Sequence, residues 1–519
     1  AGALAVAGVA RRGLVNVSSF GGTTDLFLYG WMEQTGSICD KINCTACASL
    51  SGCRWCPRDQ KCESAEIAAS VCSTPITSAA QCWEQYCAYE MEEFLNPRRF
   101  DAKAWVDQTT WAQVRPLHPF RTYKTALGVS GMFDLSTGRS LWNASEGSPV
   151  PATGFTIAAL SDWGTGTCVA RAVARLAAAT NPEMTLHLGD VYYTGTIDQY
   201  MTNFAGAPRN IWLQGVSFPT GRVTTFALAG NHDLISGFGG LYMTGFARTG
   251  QRATYACWQT DTWRIVALDT GRLSYLTSSD GTRDIFAGET DAPIPQEVLH
   301  WLWSVVNLGD PKDKRGIMIL SHHPPYDAFG PSYDGLARQL DGLLPAGREV
   351  VWFFGHHHHL VLYDKLKLDG LDFVIHPRLI GIGGFPGLVL EAPKRKEGLI
   401  AYDARTYQTM ADLDGVSRKV GFNGFAKMRM FEDQVNVDYI TADCVDGDCA
   451  QGLSDTQSTV VAQESLVPDL STGKLRQEWS YLGPELTKVN QPSATPVEVE
   501  GKREAEFGQQ YDASLHHYD

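Results

Sequence analysis

The chain has 519 residues, 44% of them hydrophobic, enough to bury one large domain with accessory parts. Acidic residues outnumber basic ones 57 to 43, for a formal net charge of -14, and the one basic block that stands out is Lys394-Arg395-Lys396. That balance argues against nucleic acid as a partner, and the lack of any uninterrupted apolar run of about 18 residues argues against a membrane-spanning helix.

Residues 1–38 are read as an N-terminal segment. Its apolar start, Ala1 to Ala10, is followed rather than preceded by Arg11 and Arg12, the reverse of a signal peptide's charge order, so the expectation is a mature chain whose signal has gone. Of 13 cysteines, nine lie between Cys39 and Cys87. That density reads as a disulfide framework, which persists in an oxidising compartment. Asn-x-Ser/Thr sequons at Asn16, Asn43 and Asn143 agree with it. The expected location is secreted, extracellular or within a secretory or lysosome-like lumen.

Residues 39–87 hold Cys39, Cys44, Cys47, Cys53, Cys56, Cys62, Cys72 and Cys82, with Gly52-Cys53-Arg54-Trp55-Cys56 at the centre. This stretch resembles the PSI module of plexins, semaphorins and integrins. The resemblance implies bridges Cys39–Cys53, Cys44–Cys82, Cys47–Cys62 and Cys56–Cys72; spacing alone leaves the pairing open. Cys44-x-x-Cys47 and Cys53-x-x-Cys56 are also spaced like zinc knuckles, but the inferred compartment favours bridges. Among the rest, Cys444 and Cys449 are expected to close a short loop. Two of Cys87, Cys168 and Cys257 are expected to pair and one to stay free, with the choice open.

Residues 88–152, with scattered aromatics such as Trp105, Trp111, Phe120 and Tyr123, read as a connecting segment packed on a larger body, and Gly147-Ser148-Pro149-Val150-Pro151 marks a boundary. From 153 to 453 the texture is regular. Runs 155–160, 184–188, 223–229, 264–268, 317–320 and 350–354 have strand length. Residues 169–179 place Val169, Val173, Leu176 and Ala177 on one helical face, and 295–306 does the same with Val298, Trp301 and Leu302. Strands alternating with helices predict an α/β domain with buried sheets. Residues 454–519, rich in Ser, Thr, Gln, Glu and Pro, are expected to form a polar extended tail, ordered only against a partner if at all.

Candidate ligands follow the strands. Asp162 lies in Asp162-Trp163-Gly164, Asp190 in Gly189-Asp190-Val191-Tyr192-Tyr193, and Asn231 and His232 in Gly230-Asn231-His232-Asp233. His322 follows the 317–320 run, and His356 and His358 lie in Gly355-His356-His357-His358-His359. Carboxylate, phenol, amide and imidazole groups at five strand ends form the mixed donor set that holds two metal ions. One such residue alone is a weak signal, since an Asp after a strand commonly caps a turn.

These blocks, in the order DxG, GDxxY, GNH followed by D or E, VxxH (with Ile319 for Val) and GHxH, resemble the metallophosphoesterases. Within them they resemble the purple acid phosphatases, with flanks most similar to the tartrate-resistant animal-type branch. The resemblance implies a β-sandwich flanked by helices over about 153–450, closed by a hairpin between Gly421 and Ala442. It implies Asp162, Tyr193 and His358 as ligands of a first metal, Asn231, His322 and His356 of a second, and Asp190 between them. A phenolate suits Fe(III); the amide and imidazoles suit Fe(II), Zn(II) or Mn(II). Two adjacent ions acidify water and clamp an in-line displacement at phosphorus, and His232 would hydrogen-bond the phosphoryl oxygen or protonate the leaving group.

His323 is a further catalytic candidate that would face the substrate; a packed loop residue is the equal alternative. His357 and His359 are expected away from the metals, and His187 in the core. Phe329 stands where the family carries another histidine, so turnover and pH optimum do not follow from the resemblance. The leading expectation is an acid phosphatase acting on phosphate monoesters of small molecules or phosphoproteins. The alternative from another class is an extracellular scaffold or adhesion component with little activity, meeting a protein partner through the PSI-like module or the tail. Phosphodiester hydrolysis ranks lower, because that branch carries His at the Gly164 position.

Overall fold

The computed structural model describes Cys47, Ser51 and residues 53–56, 61–64, 131–208, 215–274, 292–387, 392–411, 417–443, 457–493 and 495–499. The chain divides into two units, Ala1–Cys82 and Trp83–Asp519. In the first, Cys53–Cys56 and Lys61–Ser64 pair antiparallel, and Trp55 is buried. Cys47 is bridged to Cys62, one of the pairs that the PSI resemblance implies. Cys53 and Cys56 are also disulfide-bonded, which removes them as zinc ligands. Cys39, Cys44, Cys72, Cys82, Cys87, Cys444 and Cys449 lie outside the described residues.

The second unit is built on two large sheets. The seven-stranded one runs in the order Lys474–Leu482 (β11), Gln457–Asp469 (β10), Val435–Asp443 (β9), Gly424–Met430 (β8), Phe155–Leu160 (β1), Met184–His187 (β2), Thr224–Ala227 (β3). Strands β1, β2 and β3 are parallel, and the rest join antiparallel. The twelve-stranded sheet carries Trp263–Ala267 (β4), Gly316–Leu320 (β5), Glu349–Phe354 (β6) and Val374–Ile380 (β7) side by side and parallel at its centre. Met132–Asp134 and Ser140–Leu141, from the end of the connecting segment, extend one edge of it.

Period-two alternation decides which face each residue covers. In β1, Phe155, Ile157 and Ala159 point between the sheets, where they meet Met318 and Leu320 of β5 and Val351 and Phe353 of β6. Ala158 and Leu160 point outward to the helix Cys168–Ala179 (α1), which buries Val169, Val173 and Ala177 on that face. Outside the larger sheet, Ile317, Ile319, Val350 and Trp352 meet Val298, Trp301 and Leu302 of the helix Gln296–Ser304. The parallel strands are covered on both faces, which is why they read as continuous apolar runs. The result is a sandwich of two sheets flanked by helices, the architecture that the sequence resemblance implies.

The expectation for 454–519 needs correction in its first half. Residues 457–482 are no tail but the hairpin β10–β11, with Val461, Ala462, Leu466 and Leu475 in the core between the sheets. The pattern was hidden because one inward position is a charge. Glu464, 1% exposed, receives Arg378 of β7 in a two-pronged ion pair at 2.6 and 2.7 Å, and Tyr439 donates to it at 2.6 Å. Such a buried pair satisfies its own polar groups and ties the two sheets together. Cys257 is buried and free, while Cys168 is disulfide-bonded. No helix among the described residues is long and apolar enough to cross a membrane.

Candidate metal centre

Five parallel strands end at one place: β1, β2 and β3 from the smaller sheet, β5 and β6 from the larger. Asp162, Asp190 and His356 take φ of 57°, 74° and 71°, the left-handed region that L-residues seldom occupy without cause. Those turns aim the side chains back over the strand ends. Gly189, at φ 108°, is required because a Cβ there would sit 2.5 Å from Nδ1 of His322.

The turns hold one another. The amide of His356 donates to Asp162 Oδ2 at 3.0 Å, that of His232 to Asp190 Oδ1 at 3.0 Å, and that of Gly355 to the His322 carbonyl at 2.9 Å. Asp233, in the short helix Asn231–Ile235 (α2), accepts from the amides of Asp190, Val191 and Gly230 and from the Tyr200 hydroxyl. This carboxylate pins the second block to the third. Burial, then the neighbouring Asp190 charge, push it up to about 7.

Asp162, Asp190 and His322 bring one ligand atom each within 4.8 Å of one another, and so do His322, His323 and His356. All five residues are buried. Asn231 Oδ1 lies 2.9 Å from His322 Nε2 and 3.3 Å from His356 Nδ1. His358 Nε2 is 3.5 Å from Asp162 Oδ1, with its ring stacked on Phe385 at 3.8 Å. Every ligand residue expected from the sequence converges here with one exception.

The exception is the tyrosine. The hydroxyl in the site belongs to Tyr192, which reaches Asp162 Oδ1 and Asp190 Oδ2 at 3.1 Å each and His358 Nε2 at 3.0 Å. Tyr193 enters through its carbonyl, which accepts from Nδ1 of His232 at 2.6 Å. The GDxxY spacing, counted three residues on from Asp190, selects Tyr193. Gly189 and Asp190, just ahead of the tyrosine pair, take left-handed backbone conformations.

Several contributors carried no signal in the sequence. Tyr333 places its hydroxyl 3.0 Å from His356 Nε2, leaving Nδ1 to face Asn231. Thr270, just beyond β4, meets the amide and Nδ1 of His323 at 3.2 and 3.0 Å. Asp327 binds His357 Nδ1 and receives the Tyr363 hydroxyl at 2.9 Å. Phe329 is buried against Tyr402 and His359, so the ring is a core group. His187 is a core residue, packed edge-on against Trp163, Phe204 and Phe218, and burial lowers it to about 4.

The electrostatics are those of a cation site. Burial alone would raise Asp162, but the His358 hydrogen bond and the His322 and His358 charges outweigh it and hold the carboxyl below its usual range. Asp190 is likewise held low against burial by His322 and His232. Burial would lower His322, yet Asp190 and then Asp162 push it up to about 10. Burial, then the other imidazoles, drive His356 far down. In the metal-free chain a trapped proton on His322 thus balances the carboxylates, the place that a metal cation would take. His232 Nε2 is buried with no hydrogen-bond partner, a polar atom reserved for something else.

Residues 155–360 match the calcineurin-like phosphoesterase family. The chain carries a calcineurin-like metallophosphoesterase domain. Metallophosphoesterases of this family use a dinuclear metal centre, and the two clusters sharing His322 fit one. No curated protein sequence matches the chain. Among solved structures, PhoD is similar at 11% identity over 72% of this chain and 78% of its own, with a TM-score of 0.38. Purple acid phosphatase PPD1 from yellow lupin (Lupinus luteus) seeds shares 12% identity over 67% of this chain and 58% of its own, TM-score 0.39. A dimetal phosphatase from Danio rerio shares 13% over 55% and 95%, TM-score 0.34.

Proposed function

We propose that the metallophosphoesterase domain is an acid phosphatase of the purple type, hydrolysing phosphate monoesters at an Fe(III)–M(II) centre in which M is Fe, Zn or Mn. The observation that carries this reading is the sharing of His322 between two buried ligand clusters, with a phenol hydroxyl beside the cluster that holds both carboxylates. Asp162, Tyr192 and His358 would hold the trivalent ion, Asn231, His322 and His356 the divalent one, and Asp190 would lie between them. When bound, such a pair supplies Lewis-acid charge that acidifies water and neutralises phosphoryl oxygens.

The rest of the chemistry belongs to the chain. Nδ1 of His232 donates to the Tyr193 carbonyl, which fixes the ring and leaves Nε2 to meet a phosphoryl oxygen or to hand a proton to the departing alkoxide. Tyr333 and Thr270 orient His356 and His323 from behind, as outer partners of ligands do. Burial of the whole cluster excludes competing water and strengthens each charge interaction. His323 sits among the imidazoles rather than out toward solvent, so its place in the reading is beside the divalent ion.

A secreted or luminal setting is part of the proposal. The Cys47–Cys62 bridge, the disulfide-bonded Cys53, Cys56 and Cys168, and the exposed Asn143 of a sequon support it. The test is turnover of an aryl phosphate across pH with wild type and His232→Ala. Activity in the acidic range that falls by about 10²–10⁴ in the variant is expected. Equal rates for the two would remove His232 from the reading, and a preference for diesters over monoesters would overturn it.

A further inference from the structure

Between His356 and His358 stands His357, buried, with its Nδ1 against Oδ2 of Asp327. Asp327 lies in the loop 321–333 between β5 and the helix Asp334–Asp341, and it is fully buried. Each of its oxygens takes two donors. Oδ1 accepts from the Phe329 amide at 3.2 Å and the Tyr363 hydroxyl at 2.9 Å; Oδ2 accepts from the Gly330 amide at 3.0 Å and from His357. Four donors saturate a carboxylate, so its place is fixed by its own loop, by the strand Leu360–Tyr363 and by the histidine turn together. A carboxylate facing Nδ1 keeps a proton on that nitrogen and sets the direction of the imidazole ring.

The fit around His357 is close. A Cβ at Gly330 would come 2.5 Å from its Cε1, and one at Gly381, just beyond β7, would strike its carbonyl oxygen. Its ring lies beside that of His356, with centroids 4.8 Å apart, so a displaced His357 is felt by His356 directly and by His358 through the chain. The same loop reaches other members of the run: the Tyr333 hydroxyl lies 3.0 Å from Nε2 of His356, and the Phe329 ring lies 5.9 Å from that of His359. His358 faces Asp162, Tyr192 and Phe385 instead. His356 takes φ 71°, a conformation that persists only where its surroundings hold it.

We propose that Asp327 is a positioning residue of the metal centre: acting through His357, it holds the 355–359 turn in the shape that delivers His356 to one ion and His358 to the other. The inference rests on the two-metal reading of the site and adds the device that sets how both ions are gripped.

The experiment is chelator competition for each ion in the full chain, with wild type, Asp327→Ala, His357→Ala and the double variant. Each single variant should weaken both ions about tenfold, as loss of an outer partner of metal ligands does. Because Asp327 acts through His357, the double variant should bind no more weakly than His357→Ala alone. Asp327→Asn, which keeps one oxygen for His357 Nδ1, should recover part of the loss, and where Asp327→Ala does not fold the same cycle run with Asp327→Asn decides. Tyr363→Phe removes another donor from the same carboxylate without touching His357. It should lower the melting temperature and leave both affinities as in wild type, which separates positioning from stability. Single variants that bind both ions as wild type does, losses that add in the double variant, or a Tyr363→Phe loss equal to that of Asp327→Ala overturn the inference while the two-metal reading stands. A wild type that takes up no metal overturns both.

Discussion

Replacing Tyr192 by Phe removes a single oxygen from a wholly buried position. That oxygen touches Asp162 Oδ1, Asp190 Oδ2 and His358 Nε2 at 3.0–3.1 Å. In the metal-free chain the phenol stays protonated, because burial and the two carboxylates raise it well above its ordinary value, and it therefore acts as a donor. Loss of a donor to buried carboxylates costs about 1–3 kcal/mol, which urea unfolding of the metal-free variant measures. In iron-loaded protein the same oxygen would bind Fe(III), so Tyr192→Phe should abolish a tyrosinate-to-iron visible band. Tyr193→Phe keeps the carbonyl that anchors His232 and should keep the colour. If Tyr193→Phe bleaches the protein and Tyr192→Phe does not, the phenol has been assigned to the wrong ring.

Other outcomes follow from the same geometry. Glu464→Ala strands the buried Arg378 guanidinium and should cost about 3–5 kcal/mol by denaturant melt; truncation after residue 453 should leave insoluble protein, whereas a dispensable tail would be lost without effect. His322, pushed up to about 10 from 6.5, lends the metal-free chain stability that is complete below about pH 6.5 and fades as pH rises through about 10. Asp162, held low, contributes above its ordinary range and loses that contribution as pH falls, so the Asp162 and His322 contributions are both present in the metal-free chain between the ordinary carboxylate range and about pH 6.5. Metal entry at neutral pH must expel the His322 proton, and calorimetry in buffers of different ionisation enthalpy should register that release; no release means His322 is not a ligand. Tyr333→Phe frees Nε2 of His356 and should weaken the divalent ion about 10–100-fold in chelator competition while sparing the trivalent one.

The core strands were legible because parallel strands buried on both faces need unbroken apolar runs. The candidate ligands stand out in the sequence because each follows such a run. What the sequence hid were features settled by three-dimensional context. Glu464 reads as solvent-facing until Arg378 arrives from the other sheet, and with it the whole β10–β11 hairpin looks polar. Tyr192 and Tyr193 are chemically equal neighbours, and only the folded chain, in which the Tyr192 hydroxyl meets Asp162, Asp190 and His358, chooses between them. Tyr333 and Thr270 are ordinary loop residues whose value comes from lying behind His356 and His323. Phe329 looked like a gap in the catalytic set and is a core residue against Tyr402.

Metal content tests the central claim most directly. Purified full-length chain, analysed by mass spectrometry for iron, zinc and manganese alongside aryl phosphate hydrolysis, should contain two metal ions per chain. Asp190→Ala, which removes the carboxylate placed between the two clusters, should lose at least one ion and the activity together. A wild-type chain that takes up no metal on reconstitution, or that hydrolyses phosphate esters at the same rate after both ions are stripped, would contradict it.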